Sequence, residues 1–172
     1  MGKTGKKILI IDDERIILES LRIFINDSGY EVHQAVDGIS GFEMVEKEKP
    51  DLIVVDILLP GLNGVALCEK LRSNELYRHI PVVLMTGVYK DSSLCMYVHK
   101  GLANDFIEKP FMDNELLIKI DRLLGSGQDK LLAEADTEKD FYPSQNLKSP
   151  SPKSVDKDLN DLVNWARSKN KK

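Results

Sequence analysis

Cysteine is nearly absent: Cys68 and Cys95 are the only two in 172 residues. Two cysteines that far apart suit neither a disulfide framework nor a zinc-ligand spacing, so a reducing cytoplasm is the expected compartment. Long apolar runs are also missing. Stretches such as Ile8 to Ile11 fall far short of the roughly 20 residues that cross a bilayer, so no membrane contact is expected. There is no surplus of positive charge either. The 24 Lys and Arg are outnumbered by 28 Asp and Glu, for a formal net charge of −4. Domains that bind nucleic acid in bulk are usually basic, so no direct nucleic-acid partner is expected. The basic opening, Met1 to Lys7, carries no signal-peptide cleavage region. Lys6 stands where a myristoylation signal needs Ser or Thr. Gly2-Lys3-Thr4 has the ending of a phosphate-binding loop, but no strand or upstream glycine stands before it.

What is present is a regular alternation of short apolar runs and helical patterns as far as residue 124. The runs are Ile8 to Ile11, Glu31 to Ala35, Leu52 to Val55, Val82 to Met85 and Asp105 to Ile107. The first, third and fourth are continuous and rich in β-branched residues, as suits strands buried on both faces of a parallel sheet. The second alternates more, as an edge strand does. Five helical faces lie between and after them. They are marked by Ile17, Leu21, Phe24 and Ile25; by Phe42 and Val45; by Val65, Leu67, Cys68 and Leu71; by Leu94, Cys95 and Val98; and by Leu116, Ile120, Leu123 and Leu124. Right-handed crossovers between such units put helices on both sides of one sheet. The spacing therefore predicts an α/β fold: a doubly wound five-stranded parallel sheet with a flexible C-terminal tail. Residues 1–6 are read as an N-terminal extension and 7–124 as the globular domain. Residues 125–154, with Ser149-Pro150-Ser151-Pro152, read as a disordered linker. Residues 155–172 form a tail with a short amphipathic pattern: Val155, Leu159, Leu162, Val163 and Ala166 share a face, and Trp165 lies at its margin. No second globular domain is expected after Gly125.

The chemistry gathers at strand ends. Asp12-Asp13-Glu14 follows the first strand and Asp56 follows the third. In an open parallel sheet, functional groups collect at the carboxyl ends of strands, near the point where strand order reverses. A strand order of 2-1-3-4-5 makes strands one and three neighbours and brings the acids into one crevice. Like charges that close repel, so the cluster calls for a cation. Hard oxygen ligands that leave room for water suit Mg²⁺. Met85-Thr86-Gly87 adds a hydroxyl after strand four, and Glu108-Lys109-Pro110 adds an ammonium after strand five. Singly, these are a helix cap, a strand-end hydroxyl and a solvated lysine. Jointly, a carboxylate nucleophile, a divalent cation, a hydroxyl and a lysine make a site for phosphoryl transfer, which needs charge neutralisation and positioning more than acid-base work.

Residues 7 to 124 closely resemble the receiver domain of two-component response regulators. The resemblance is carried by Ile8-Leu9-Ile10-Ile11-Asp12-Asp13-Glu14, Asp51 to Gly64, Pro81 to Gly87, and Ala103 to Phe111. It implies the flavodoxin-like sheet order 2-1-3-4-5. It implies that Asp56 is the phospho-acceptor, that Asp13 ligates Mg²⁺ directly and Asp12 through water, and that Leu58 lends the metal its backbone carbonyl. Thr86 and Lys109 would contact the phosphoryl oxygens, and the Lys109–Pro110 bond would be cis. The implied partners are a sensor histidine kinase or phosphotransfer protein, a downstream effector protein and, after phosphorylation, a second copy of the chain. Such a protein catalyses only its own phosphorylation and dephosphorylation, and is not an enzyme in the usual sense.

The chain departs from the family in small ways. Gly101-Leu102-Ala103 inserts a leucine where Gly-Ala is usual, and Phe106 stands at the aromatic switch position where tyrosine is commoner. Leu58 and Val88, two residues past Asp56 and Thr86, are both apolar. Rival readings fit less well. A haloacid-dehalogenase-type phosphatase needs an acid where Leu58 stands. A flavin-binding electron carrier needs a phosphate loop where the three acids stand. A receiver-like module that binds its partner without phosphorylation is not distinguished by the sequence.

Overall fold

In the computed structural model, residues 5–87 and 97–125 are described. Val88, the expected start of a helix at Leu94 and Cys95, and the linker and tail from residue 126 onward lie outside the described residues. The elements run β1 (Lys7–Ile11), α1 (Arg15–Asp27), β2 (Glu31–Ala35), α2 (Gly38–Glu48), β3 (Leu52–Asp56), α3 (Gly64–Arg72), β4 (Val82–Thr86), β5 (Asp105–Glu108) and α4 (Asp113–Leu124). Residues 97–99 are also helical and end in Gly101, whose φ of 70° lies in the left-handed region that glycine enters without cost.

All strand pairs are parallel, and the order is β2-β1-β3-β4-β5, as the sequence predicts. Alternation along each strand splits the apolar side chains between two layers. Leu9, Ile11, Ile53, Val55, Val82 and Leu84 meet Phe42 and Val45 of α2 and Val65, Leu67, Cys68 and Leu71 of α3. Ile8, Ile10, Leu52, Val54, Val83 and Met85 meet Leu18, Leu21 and Ile25 of α1 and Leu116 and Ile120 of α4. This two-sided burial is why three strands read as unbroken apolar runs. β2 is one of the two edge strands, and only its last residue, Ala35, is buried. Cys68 is buried with no disulfide, and burial pushes its thiol up to about 12, so it stays protonated and acts as a small apolar side chain.

Arg72, at the end of α3, holds the far side of the sheet together. Its guanidinium donates to the carbonyls of Gly101, Arg78 and Ile80 and to Asn104 Oδ1, each at 3.0–3.1 Å. Asn104 Oδ1 in turn accepts from Val82 N at 2.9 Å, so one side chain links α3 to the starts of β4 and β5. We expect Arg72→Ala to lower the unfolding free energy by roughly 1–3 kcal/mol, since four acceptors, one of them partly buried, lose a charged donor together. Chemical denaturation checks this, and Arg72→Lys should not restore the loss, because an ammonium cannot span the fork.

Candidate functional site

The strand order turns back on itself at β1, which pairs with both β2 and β3. Asp12 leaves the end of β1, Asp56 is the last residue of β3, Thr86 is the last of β4, and Lys109 follows β5. All four stand on the carboxyl side of the sheet.

Lys109 bridges the two buried acids. Its Nζ donates to Asp12 Oδ2 and to Asp56 Oδ2, both at 2.6 Å. Each acid is anchored through its other oxygen by a backbone N–H two residues on: Glu14 N donates to Asp12 Oδ1 at 2.9 Å, and Leu58 N donates to Asp56 Oδ1 at 3.0 Å. Asp12 is 0% exposed and Asp56 6%, whereas Asp13 is exposed. Thr86 is fully buried, and its carbonyl accepts from Lys109 N at 2.6 Å, which ties the chain after β5 to the end of β4. The Lys109–Pro110 peptide bond is cis. Glu14 stands apart: it is largely exposed and lies 3.9 Å from Lys109.

Carboxylate oxygens of Asp12, Asp13 and Asp56 lie within 4.8 Å of one another. One ammonium against three carboxylates leaves an excess of negative charge in a partly desolvated crevice. The donors are all hard oxygens, and Asp13 opens to water. That set fits a hard divalent cation that keeps part of its hydration shell. Leu58 is brought to the site through its backbone N–H.

The electrostatics are unequal across the bridge. Burial would lower the Lys109 ammonium, but its hydrogen bonds to Asp12 and Asp56 outweigh that and hold it above the usual lysine range. At Asp12 burial wins over the attraction of Lys109 and the Glu14 N–H, and the carboxyl is raised. A raised carboxyl contributes stability only where it is protonated, and that contribution is lost as pH climbs through the folded value. At neutral pH the Asp12 charge therefore costs stability. We expect Asp12→Asn to raise Tm at pH 7 by about 4 °C, of the order of 1 kcal/mol. The gain should shrink toward acid pH, and a pH series of thermal melts checks it.

Two positions to which the residue pattern gave no chemical role shape the site. Asn63 caps α3 by accepting from Ala66 N at 2.8 Å. Gly64 lies so close to the end of β3 that a side-chain carbon there would fall 2.2 Å from the Asp56 carbonyl oxygen. The close approach at Gly64 and the cap at Asn63 are legible only once the loop is seen folded over Asp56.

A family model described as the response regulator receiver domain matches residues 8–121. Among curated relatives, the DNA-binding dual master transcriptional regulator RpaA of Synechocystis is 37% identical over 118 residues, covering 69% of this chain and 48% of that protein. The alkaline phosphatase synthesis transcriptional regulatory protein PhoP of Bacillus subtilis is 36% identical over 120 residues, covering 70% of this chain and 49% of that one. The chain thus spans about half the length of the curated relatives it matches. Among solved structures, a response regulator from Chloroflexus aurantiacus superposes with a TM-score of 0.65 at 31% identity, covering 70% of this chain and 98% of the other. A CheY-like receiver domain protein from Methanospirillum hungatei gives 0.64 at 32% identity, covering 70% and 94%. The names of these relatives lend no support to the expectation that nucleic acid is not a partner, since the first is called DNA-binding. Among the described residues no helix is long and apolar enough to cross a membrane.

Proposed function

Given that the chain belongs to the response regulator receiver domain family, we propose that Asp56 accepts a phosphoryl group in a Mg²⁺-dependent reaction and that the resulting charge switches a partner-binding surface. The observation that carries this reading is the shared ammonium: Lys109 Nζ lies 2.6 Å from both Asp12 and Asp56, at the strand ends where a fourth element brings Thr86.

The donor is a phosphohistidine on a sensor histidine kinase or phosphotransfer protein. An Asp56 carboxylate oxygen forms the new O–P bond, the P–N bond to the imidazole breaks, and the leaving imidazole takes up a proton. Leu58 N and Lys109 Nζ hold the Asp56 carboxylate by one oxygen each, so its rotation is fixed before attack. Asp12, Asp13, Asp56 and the Leu58 carbonyl would hold Mg²⁺, which supplies charge neutralisation for the transferring group. Lys109 adds a second positive charge in a site shielded from water, where such a charge acts more strongly.

Phosphorylation replaces the single charge of the Asp56 carboxylate with a phosphoryl group carrying about −1.5 to −2 on three acceptor oxygens. Lys109 is drawn to the phosphoryl oxygens, and the Thr86 hydroxyl joins it. Phe106, partly buried against the core beside β4, fills the space that Thr86 leaves. It has no hydroxyl, so its change is one of burial alone. An effector protein reads the altered surface. The chain acts on itself and turns over no free substrate.

The test is to incubate the protein with Mg²⁺ and acetyl phosphate and to locate the added phosphate by mass spectrometry. Label on Asp56 that requires Mg²⁺ supports the reading. Label elsewhere, or none, removes it.

A further inference from the structure

The loop between β3 and α3 carries Leu58, whose N–H orients the Asp56 carboxylate, and something must hold that loop in place. Its two ends are held closely. At the far end, Gly64 N donates to Ile57 O at 3.1 Å, and Gly64 packs directly on the Asp56 carbonyl. In its middle, Gly61 has a φ of 70°, so the chain turns there in the left-handed region.

The remaining support comes from a different element. Asp37 caps α2 by accepting from Ser40 N at 2.7 Å, which fixes the entry of the helix. The next residue, Gly38, faces the loop backbone. A side-chain carbon on Gly38 would fall 1.9 Å from Leu62 O and 2.9 Å from its carbonyl carbon. Contacts that close do not occur, so a methyl group there must push either α2 or Leu62 aside. Ile39, 59% exposed, extends over the same loop, with Cδ1 lying 3.7 Å from where a side-chain carbon on Gly61 would sit.

We infer that the first turn of α2 is the backstop of the acceptor loop and that Gly38 is a positioning residue for Asp56, acting through Leu62 and the Leu58 N–H. The inference rests on Asp56 being the phospho-acceptor. A push on Leu62 cannot be absorbed at Gly64, which is pinned to Asp56 and Ile57. It is taken up by residues 57–63, where Leu58 lies. A displacement of about 1 Å in a positioning element costs up to 10²-fold in rate.

The helix supplies its own control. Gly41, one turn further on, is also tightly packed, but a side-chain carbon there would meet Ile11 Cδ1 at 2.5 Å, the movable end of a core side chain and not the loop backbone. Both glycines are replaced by alanine in the full-length chain. Two quantities are measured: the rate of Asp56 phosphorylation by acetyl phosphate with Mg²⁺, and hydrogen-exchange protection of the Leu58 amide. Gly38→Ala should slow phosphorylation roughly ten- to a hundredfold and lower Leu58 protection while leaving the Val54 amide protected. Gly41→Ala should lower Tm but change neither readout. Ile39→Ala, at an exposed site that does not threaten folding, should give a smaller loss in both.

A Gly38→Ala protein with wild-type rate and wild-type Leu58 protection overturns the inference. So does a Gly41→Ala protein slowed as much as Gly38→Ala, because general loss of stability would then be the cause. If Gly38→Ala does not fold, Ile39→Ala decides, and no change in either readout overturns it. Failure of the wild type to take up phosphate would instead strike the acceptor assignment, and the Leu58 amide would still report on Gly38.

Discussion

Asp56→Asn is expected to abolish phosphorylation at this site. The substitution keeps the size and shape of the side chain, and its amide oxygen can still accept the Leu58 N–H that Asp56 Oδ1 accepts at 3.0 Å. It removes the negative charge, and a neutral amide oxygen is too weak a nucleophile to displace imidazole from phosphorus. The loss should not come from misfolding. Removing one of the three crowded carboxylates relieves repulsion, and Lys109 keeps its 2.6 Å contact with Asp12. We therefore expect a folded variant, with a Tm at or above that of the wild type, that gains no phosphate by mass spectrometry after treatment with acetyl phosphate and Mg²⁺. Labelling at the wild-type rate would show that another residue is the acceptor.

Lys109→Ala should have the next largest effect, and in two quantities at once. Asp12 and Asp56 are almost wholly buried, and Lys109 is the cation that pairs with each of them. Removing it leaves two carboxylates facing each other with no cation between them, and breaking a buried pair from one side costs about 3–5 kcal/mol. The ammonium sits above its usual range, so its contribution is complete at any pH below the ordinary lysine value and is lost only as pH climbs past that. Melts at pH 7 therefore measure all of it. Mg²⁺ should restore part of the loss, because a cation bound by Asp12, Asp13 and Asp56 replaces some of the missing charge. The rate of phosphate uptake should fall about 10²-fold, as when one preorganised charge stabiliser is removed. The phosphorylated variant should also fail to change its partner affinity, since no ammonium remains to be drawn toward the phosphoryl group. A Lys109→Ala protein with unchanged stability with and without Mg²⁺ would contradict the bridging role.

The legible parts of this protein are those where one residue type has one physical use. Three continuous β-branched runs can be satisfied only by strands covered on both faces, and Leu9 with Ile8, or Ile53 with Leu52, divide between the two layers as alternation requires. Helical faces such as Val65, Leu67, Cys68 and Leu71 are wholly buried for the same reason. Acids and a lysine placed directly after strands are brought together by the parallel sheet itself, so Asp12, Asp56, Thr86 and Lys109 converge without any further instruction.

The rest depends on what meets what. Asp12 and Asp13 are chemically alike and adjacent in the chain, yet one is buried against Lys109 and the other is exposed. Glu14 joins the acidic run in sequence but stays outside the group of Asp12, Asp13 and Asp56, whose carboxylate oxygens lie within 4.8 Å of one another. Arg72 reads as a surface charge at the end of a helix. Only the packed loops show that it serves three carbonyls and Asn104, since backbone acceptors leave no trace in side-chain identity. Gly38 reads as an ordinary residue near a helix start. Its meaning lies in the carbonyl of Leu62, 24 positions later in the chain and in direct contact in space. Local periodicity and strand-end chemistry are written along the chain, so the sequence by itself determined the parallel sheet and the acids at its strand ends, while the strand order followed from the family resemblance. Burial, backbone hydrogen bonds and close approach arise only between segments, so the tertiary structure alone decided which acid is held, by what, and against which wall.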